Sequence, residues 1–191
     1  GLNMKFKIDQ ENLVYGLNIV TKAISNKNTI EVLNGIELIA GEQVVSMRGT
    51  DLEIELSCTV PAEVEGQGQI VVPAKKFLEL ARILPKGEIF IDRDKNHITI
   101  GYGLNQAEMI CYAEDQFPQE QKWGKDGTSF TVNAIDFQKA VKQVHPVSSK
   151  NDTRPILTGV LLQSYSKGLS LIATDTFRVA WKKLPVPNIP E

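Results

Sequence analysis

Few residues in this 191-residue chain are of a type that could do chemistry, and their spacing argues against catalysis. The two histidines, His97 and His145, are far apart, and neither lies near a cysteine at metal-ligand spacing. The run Asp92-Arg93-Asp94-Lys95-Asn96 looks like the start of a calcium loop. However, the sixth position, which needs glycine, is His97, and the twelfth, which needs glutamate, is Gly103. A hairpin turn is the better expectation. Thr50-Asp51 and Thr174-Asp175 could be imagined as acid–base groups, but their recurrence at turn positions favours side chains that bond local backbone. GxxxxGK[ST], GxSxG and HExxH are all missing. Cys58 and Cys111 are too few for a disulfide framework and read as buried strand residues in a reducing cytoplasm. Neither a catalytic residue, a metal site nor a cofactor is expected.

The elements that carry these residues follow from an internal repeat. Residues 29–51, TIEVLNGIELIAGEQVVSMRGTD, align without a gap on residues 153–175, TRPILTGVLLQSYSKGLSLIATD, at an offset of 124. Thr29, Leu33, Gly35, Thr50 and Asp51 fall on Thr153, Leu157, Gly159, Thr174 and Asp175, and the match reaches out to Phe6 and Phe130 and to Pro61 and Pro185. A fixed long offset marks a duplicated structural unit. In the first copy, alternation predicts a strand over 4–8, and Asp9 sits where it can cap a helix. Leu13, Leu17, Val20 and Ile24 give that helix one apolar stripe, and strands are expected at 32–40, 43–49 and 52–60. The order strand, helix, strand, strand, strand recurs with little identity. It comprises a strand at 69–72, a helix opened by Pro73 and striped by Phe77, Leu80, Ala81 and Leu84, and strands at 88–92, 97–102 and 107–112. Residues 114–127 have little apolar pattern and read as an inter-domain connection, with the linker proper at 121–127. The third copy follows, with Asn133 as cap and strands expected at 156–165, 169–174 and 177–184.

Composition sets limits on the partners. The chain is 42% hydrophobic and 23% charged, ordinary for a globular domain, and no apolar run nears the roughly 20 residues that span a membrane. The net charge of −2 is unevenly spread: over 11–24, 73–84 and 134–145 there are six basic and three acidic residues. Opposite the apolar stripes, at about 100° per residue, lie Asn18 and Lys22, then Lys75 and Arg82 with Lys76 on the flank, then Lys139 and Lys142. From charge alone these are either solvated helix faces or weak contacts for a phosphate backbone.

Several segments together resemble the bacterial sliding clamp family, the beta subunit of DNA polymerase III. MKFKIDQENLVYGLNIVTKAI is similar to its first strand and helix, VVPAKKFLELARILP to its VPA-[RK]-x-F…LP segment, and AEDQFP to the turn closing its first domain. TRPILTGVLL followed by ATDTFRVAWKKLP resembles its second-domain signature. The resemblance implies an α+β DNA-clamp fold built of repeated β-α-β-β-β units, with helices on the inner face and antiparallel sheets on the outer. It also implies clamp domain 1 at 4–120, the first half of domain 2 at 128–191, and no third domain in this chain. The implied function is non-catalytic, a ring around double-stranded DNA that tethers polymerase. Its partners would be the polymerase III catalytic subunit and the clamp loader, docking through clamp-binding peptides, and a second chain completing the ring; no membrane is involved. Lys22, Lys75, Lys76, Arg82, Lys139 and Lys142 would then face DNA, with Lys27, Lys150, Asn151 and Arg154 on loops that approach it more directly. Leu157, Thr174, Thr176, Phe177, Arg178 and Val179 match positions of the family's peptide pocket, although Thr176 and Phe177 replace its usual glycine and histidine. The alternative is a truncated clamp-like regulator that binds clamp partners without encircling DNA.

Overall fold

In the computed structural model, residues 3–26, 28–120, 127–187 and 189 are described. The chain divides into two units, 1–120 and 121–191. Unit 1 opens with β1 (Lys5–Asp9) and α1 (Gln10–Val20), continuing as a 3-10 turn over Thr21–Ala23. A second 3-10 turn, Glu31–Asn34, precedes β2 (Gly35–Ala40), β3 (Val44–Thr50) and β4 (Glu55–Pro61). After β5 (Glu63–Gly66), the second repeat supplies β6 (Gly68–Pro73), α2 (Ala74–Ile83), β7 (Glu88–Asp94), β8 (His97–Tyr102) and β9 (Asn105–Ile110). Unit 2 consists of α3 (Ala134–Val144), β10 (Leu161–Tyr165), β11 (Gly168–Thr174) and β12 (Val179–Pro185).

The two repeats of unit 1 exchange their first strands. One sheet runs β5-β1-β7-β8-β9 and the other β4-β3-β2-β6, so β1 pairs with the second repeat and β6 with the first. Neither repeat can complete its sheet alone, and one core spans both. Phe6 and Ile8 from β1, Leu13 and Leu17 from α1, Phe77 from α2 and Ile91 from β7 belong to the same buried cluster. Asp9 caps α1 by accepting from the Glu11 amide at 2.9 Å, and Asn133 caps α3 by accepting from Ile135 and Asp136 at 3.1 Å. At Gly49 in β3, an added Cβ would lie 2.7 Å from the carbonyl oxygen of Val20, so only glycine allows α1 this close to the sheet.

Unit 2 has a smaller core of its own, with Ala140 and Val144 of α3 against Leu169, Leu171, Ala173 and Leu184. Among the described residues, β10 pairs with β11 alone and no strand forms over 128–132, the counterpart of β1. In unit 1 these two places depend on β6 and β7. Leu162, equivalent to the fully buried Leu38, is accordingly 49% exposed.

Several sequence expectations are corrected. The first part of the expected strand 32–40 is a 3-10 turn, as is that of 156–165, because the Leu33 and Gly35 amides donate to the Ile30 and Val32 carbonyls, and Thr158 Oγ1 donates to the Pro155 carbonyl, before pairing begins. Residues 51–54 and 175–178 are turns, and the strands that follow start at Glu55 and Val179. Pro73 ends β6 and stands just before the first turn of α2, without a side-chain capping bond. Cys111 is buried just past the end of β9, and Cys58 is only partly buried. Residues 114–118 do not form an open connection: Glu114–Gln116 is a 3-10 turn, and Phe117 is buried on the β2–β3–β4–β6 sheet beside Val32 and Val71. The expected linker at 121–127 lies, except for Gly127, outside the described residues.

Candidate nucleic-acid interface and peptide cleft

In each unit the helices pack one face onto a sheet and leave the other in solvent. Buried Leu13, Gly16, Leu17 and Val20 fix the orientation of α1; Ala74, Phe77 and Ala81 fix α2; Ala140 and Val144 fix α3. Lys22, Lys75, Lys76, Arg82, Lys139 and Lys142 are consequently all exposed. α1 and α2 meet at their outer surfaces, where Arg82 Nη2 donates to Asn18 Oδ1 at 2.6 Å, so the polar residues of both helices share one side of unit 1.

Pairing separates these cations from the strand cations of unit 1. On the strands, Lys5 meets Glu65 at 3.2 Å, Lys7 meets Glu63 at 2.8 Å and Glu88 at 3.1 Å, and Arg93 meets Glu114 at 2.6 Å. Among the described residues, no carboxylate pairs with Lys22, Lys75, Lys76, Arg82, Lys139, Lys142, Lys150 or Arg154. The strand cations of unit 1, Lys5, Lys7, Arg48 and Arg93, are thus paired within the fold; on β12 of unit 2, Lys182 and Lys183 have no carboxylate partner among the described residues, and Lys183 lies 5.0 Å from the Trp181 ring instead. Lys27 lies outside the described residues.

A cleft of about 890 Å³ opens in unit 2 between the 146–157 loop and the turn 175–178. Ser149 N donates to the Leu157 carbonyl, Asn151 N to Ser149 Oγ, and Thr153 N to Asn151 Oδ1, which fixes the loop. Opposite, Asp175 Oδ1 accepts from the amides of Phe177 and Arg178, both at 3.0 Å, while its Oδ2 accepts from Arg178 Nε at 3.0 Å. Partial burial pushes the Asp175 carboxyl upward, but the bonds from Phe177 and Arg178 outweigh it and hold the group below its ordinary value. Asp51 behaves alike, lowered by the amides of Ile54 and Glu53. Both Thr-Asp pairs are therefore turn-forming groups, and each turn holds a non-glycine residue in the left-handed region, Leu52 at φ 76° and Thr176 at φ 79°.

Lys150, Asn151 and Arg154 line this cleft together with Leu157, Thr176, Phe177 and Arg178. The structure thus brings the expected loop cations and four of the expected pocket residues to one place. Thr174 and Val179 do not line it; Thr174 Oγ1 instead donates to the Arg178 carbonyl at 2.7 Å. Sequence reasoning missed the contributions of Pro146, Ser148 and Asp175 to the wall. Of these, the offset of 124 could have located only Ser148, whose counterpart Ile24 lines a cleft of unit 1 together with Ser25 and Asn26. There α2 closes one side with Ala74, Lys75 and Leu78. The calcium-like run is a hairpin, with Lys95 and Asn96 as the turn between β7 and β8, and among the described residues no cluster of metal-ligating groups occurs. Among the described residues no helix is long and apolar enough to cross a membrane.

Comparison with known proteins supplies a family. The model of the DNA polymerase III beta subunit N-terminal domain matches residues 4–120, and that of its central domain matches residues 131–190. The beta sliding clamp of Halalkalibacterium halodurans is 32% identical over 96% of this chain and 50% of its own length. A Bacillus subtilis DNA polymerase sliding clamp structure superposes with a TM-score of 0.92 at 28% identity, over 99% of this chain and 52% of that one. A Pseudomonas aeruginosa sliding clamp bound to griselimycin gives 0.87 at 27% identity, over 98% and 51%. The chain spans about half the length of the curated relatives it matches.

Proposed function

The chain belongs to the DNA polymerase III beta-subunit family, and on that premise we propose that it forms part of a sliding clamp that holds replicative polymerase on duplex DNA. The observation that carries this is the distribution of unpaired charge in unit 1: among the described residues its helix-face cations lack acidic partners, while Lys5, Lys7, Arg48 and Arg93 on its strands have them. Lys22, Lys75, Lys76, Arg82, Lys139 and Lys142, with Lys150, Asn151 and Arg154 on the loop, meet backbone phosphates without reading bases. Lysine suits a sliding contact, because its ammonium is a hydrated point charge that imposes no fixed hydrogen-bond geometry. Leu157, Thr176, Phe177 and Arg178 receive an apolar side chain of a clamp-binding peptide, and Thr174 and Val179 stand behind that turn. Self-association uses the open edge of β9, where Ile110 is exposed. The role is tethering, without catalysis.

The test is binding of this chain to a short labelled duplex, followed by fluorescence anisotropy between about 50 and 200 mM salt. Affinity independent of base sequence and falling steeply with salt is expected, and Lys139→Ala with Lys142→Ala lowers the log–log slope by about one per lysine. Preference for one sequence, or a slope unchanged by the substitutions, refutes the assignment. A second reading, a clamp-like regulator that binds partner peptides without encircling DNA, draws on the unit 2 cleft. It predicts saturable peptide binding by a chain that leaves duplex unbound at the lowest salt.

A further inference from the structure

Arg82 is the single arginine among the described helices, and its guanidinium is held differently from those on the strands and turns. Arg48 meets Glu37 and Glu55, Arg93 meets Glu114, and Arg178 meets Asp175. Arg82 Nη2 instead donates to the uncharged amide oxygen of Asn18 on α1, at 2.6 Å. Glu79 lies three residues earlier on the same helix, a spacing at which Glu and Arg can pair, yet among the described residues no carboxylate meets Arg82. An amide oxygen fixes a guanidinium and leaves its positive charge intact, whereas a carboxylate in the same place would cancel it.

The internal repeat gives the position of Asn18 a second meaning. At the offset of 124 it falls on Lys142, which is exposed on α3. The outward site that α3 fills with its own ammonium is therefore filled in unit 1 by an amide that receives a guanidinium from the neighbouring helix. Both repeats bring a cation to the same spot of the helix face, by different routes. The frame around the unit 1 contact is rigid. The buried Gln10 side chain of α1 donates to the Ala81 carbonyl at 2.8 Å, one residue before Arg82, and Leu13, Leu17, Phe77 and Ala81 share one core beneath both helices.

We propose that Asn18 is a positioning residue of the duplex-facing surface, one that preorients the Arg82 guanidinium for a backbone phosphate. The inference rests on the assignment of the helix faces to DNA and deepens it. A guanidinium presents its N–H donors in a planar fork; with one of them on Asn18, the others remain for phosphate oxygens, which arginine engages through paired, parallel bonds. A free arginine loses rotamer freedom when it makes such a contact, whereas one fastened by Asn18 has lost it on folding. The lysines of the face meet phosphate as hydrated point charges of no fixed geometry. Arg82 is thus the contact whose strength depends on direction, and Asn18 sets that direction.

A double-substitution cycle tests this: the parent chain, Asn18→Ala, Arg82→Ala and the combined variant are titrated against a short labelled duplex from about 50 mM salt upward. Asn18→Ala should weaken binding about two- to tenfold, the effect of ordering one long side chain at the moment of contact. Its slope of log affinity against log salt should match the parent, because no charge is removed. Arg82→Ala should weaken binding and lower that slope by about one, and adding Asn18→Ala to it should change nothing further. The urea midpoint of Asn18→Ala should stay with the parent, since buried Leu13, Leu17 and Val20 hold α1 in place. If Arg82→Ala weakens binding and Asn18→Ala does not, the proposal fails while the assignment of Arg82 to DNA stands. An Asn18→Ala loss that persists in the Arg82→Ala background also overturns it, because Asn18 would then touch DNA itself. A parent that leaves duplex unbound, or an Arg82→Ala variant that binds like the parent, sinks the DNA-facing assignment of Arg82 and the proposal with it.

Discussion

Substituting Arg48 by methionine tests the energetics of the buried ion cluster that Arg48 of β3 forms with Glu37 of β2 and Glu55 of β4. Arg48 Nε and Nη2 lie 2.8 and 2.7 Å from Glu37 Oε2, and Nη1 lies 3.0 Å from Glu55 Oε2. The Arg48 and Glu37 side chains are 7% and 8% exposed, so methionine leaves a carboxylate dry and unpaired, at a cost of about 3–5 kcal/mol. Glu55, 29% exposed, rehydrates and adds little. The double substitution Arg48→Ile with Glu37→Leu recreates the row that unit 2 already uses, Leu161 opposite Ile172. With no stranded charge, its stability should return to within about 1 kcal/mol of the parent or exceed it. The assay is urea unfolding, with hydrogen exchange of the β2–β4 amides to isolate unit 1, since two units need not unfold together. A single substitution costing less than about 1 kcal/mol would mean the pair is hydrated. A double variant as unstable as the single would place the cost in lost geometry, not desolvation.

Other expectations follow from the same contacts. Gly49→Ala forces a Cβ against the Val20 carbonyl and should cost about 1–3 kcal/mol in chemical denaturation. Thr176→Gly relieves a left-handed β-branched residue worth about 1–2 kcal/mol but loosens the unfolded chain by about 0.4–1, so a small net gain in melting temperature is expected. The carboxyls of Asp51 and Asp175 sit below the ordinary 3.8, so the stability they contribute is complete above that value and lost as pH falls through the lower native one. Asp51→Asn with Asp175→Asn should flatten the acid limb of a stability–pH curve in that window. Burial pushes the Cys111 thiol up to about 12, so alkylation at neutral pH should be slow until the protein is unfolded.

Much of this architecture was legible in the chain. The 124-residue offset predicted the repeated unit, and Asp9 and Asn133 announced their helices because a short polar side chain before an apolar stripe has few other uses. The exchange of β1 and β6 between sheets was not legible, because strand patterning records which face is buried and not which strand is the neighbour. Arg48 is an instance: a basic residue in a strand reads as solvent-facing, and its burial depends on Phe117, 69 positions on in a segment that reads as a connection. In the candidate site, the helix cations were found by periodicity, since a helix with one apolar stripe fixes the opposite face. Pro146 and Ser148 were not, because cleft walls built from loops leave no period.

Duplex protection of individual lysines tests the central claim most directly. The chain is acetylated briefly with and without a short duplex at low salt, and each lysine is quantified by mass spectrometry. Protection is expected at Lys22, Lys75, Lys76, Lys139, Lys142 and Lys150, with Lys5, Lys7, Lys182 and Lys183 on the strands unchanged. Protection centred on the strand lysines, or equal across both sets, would contradict the assignment of the helix faces to DNA.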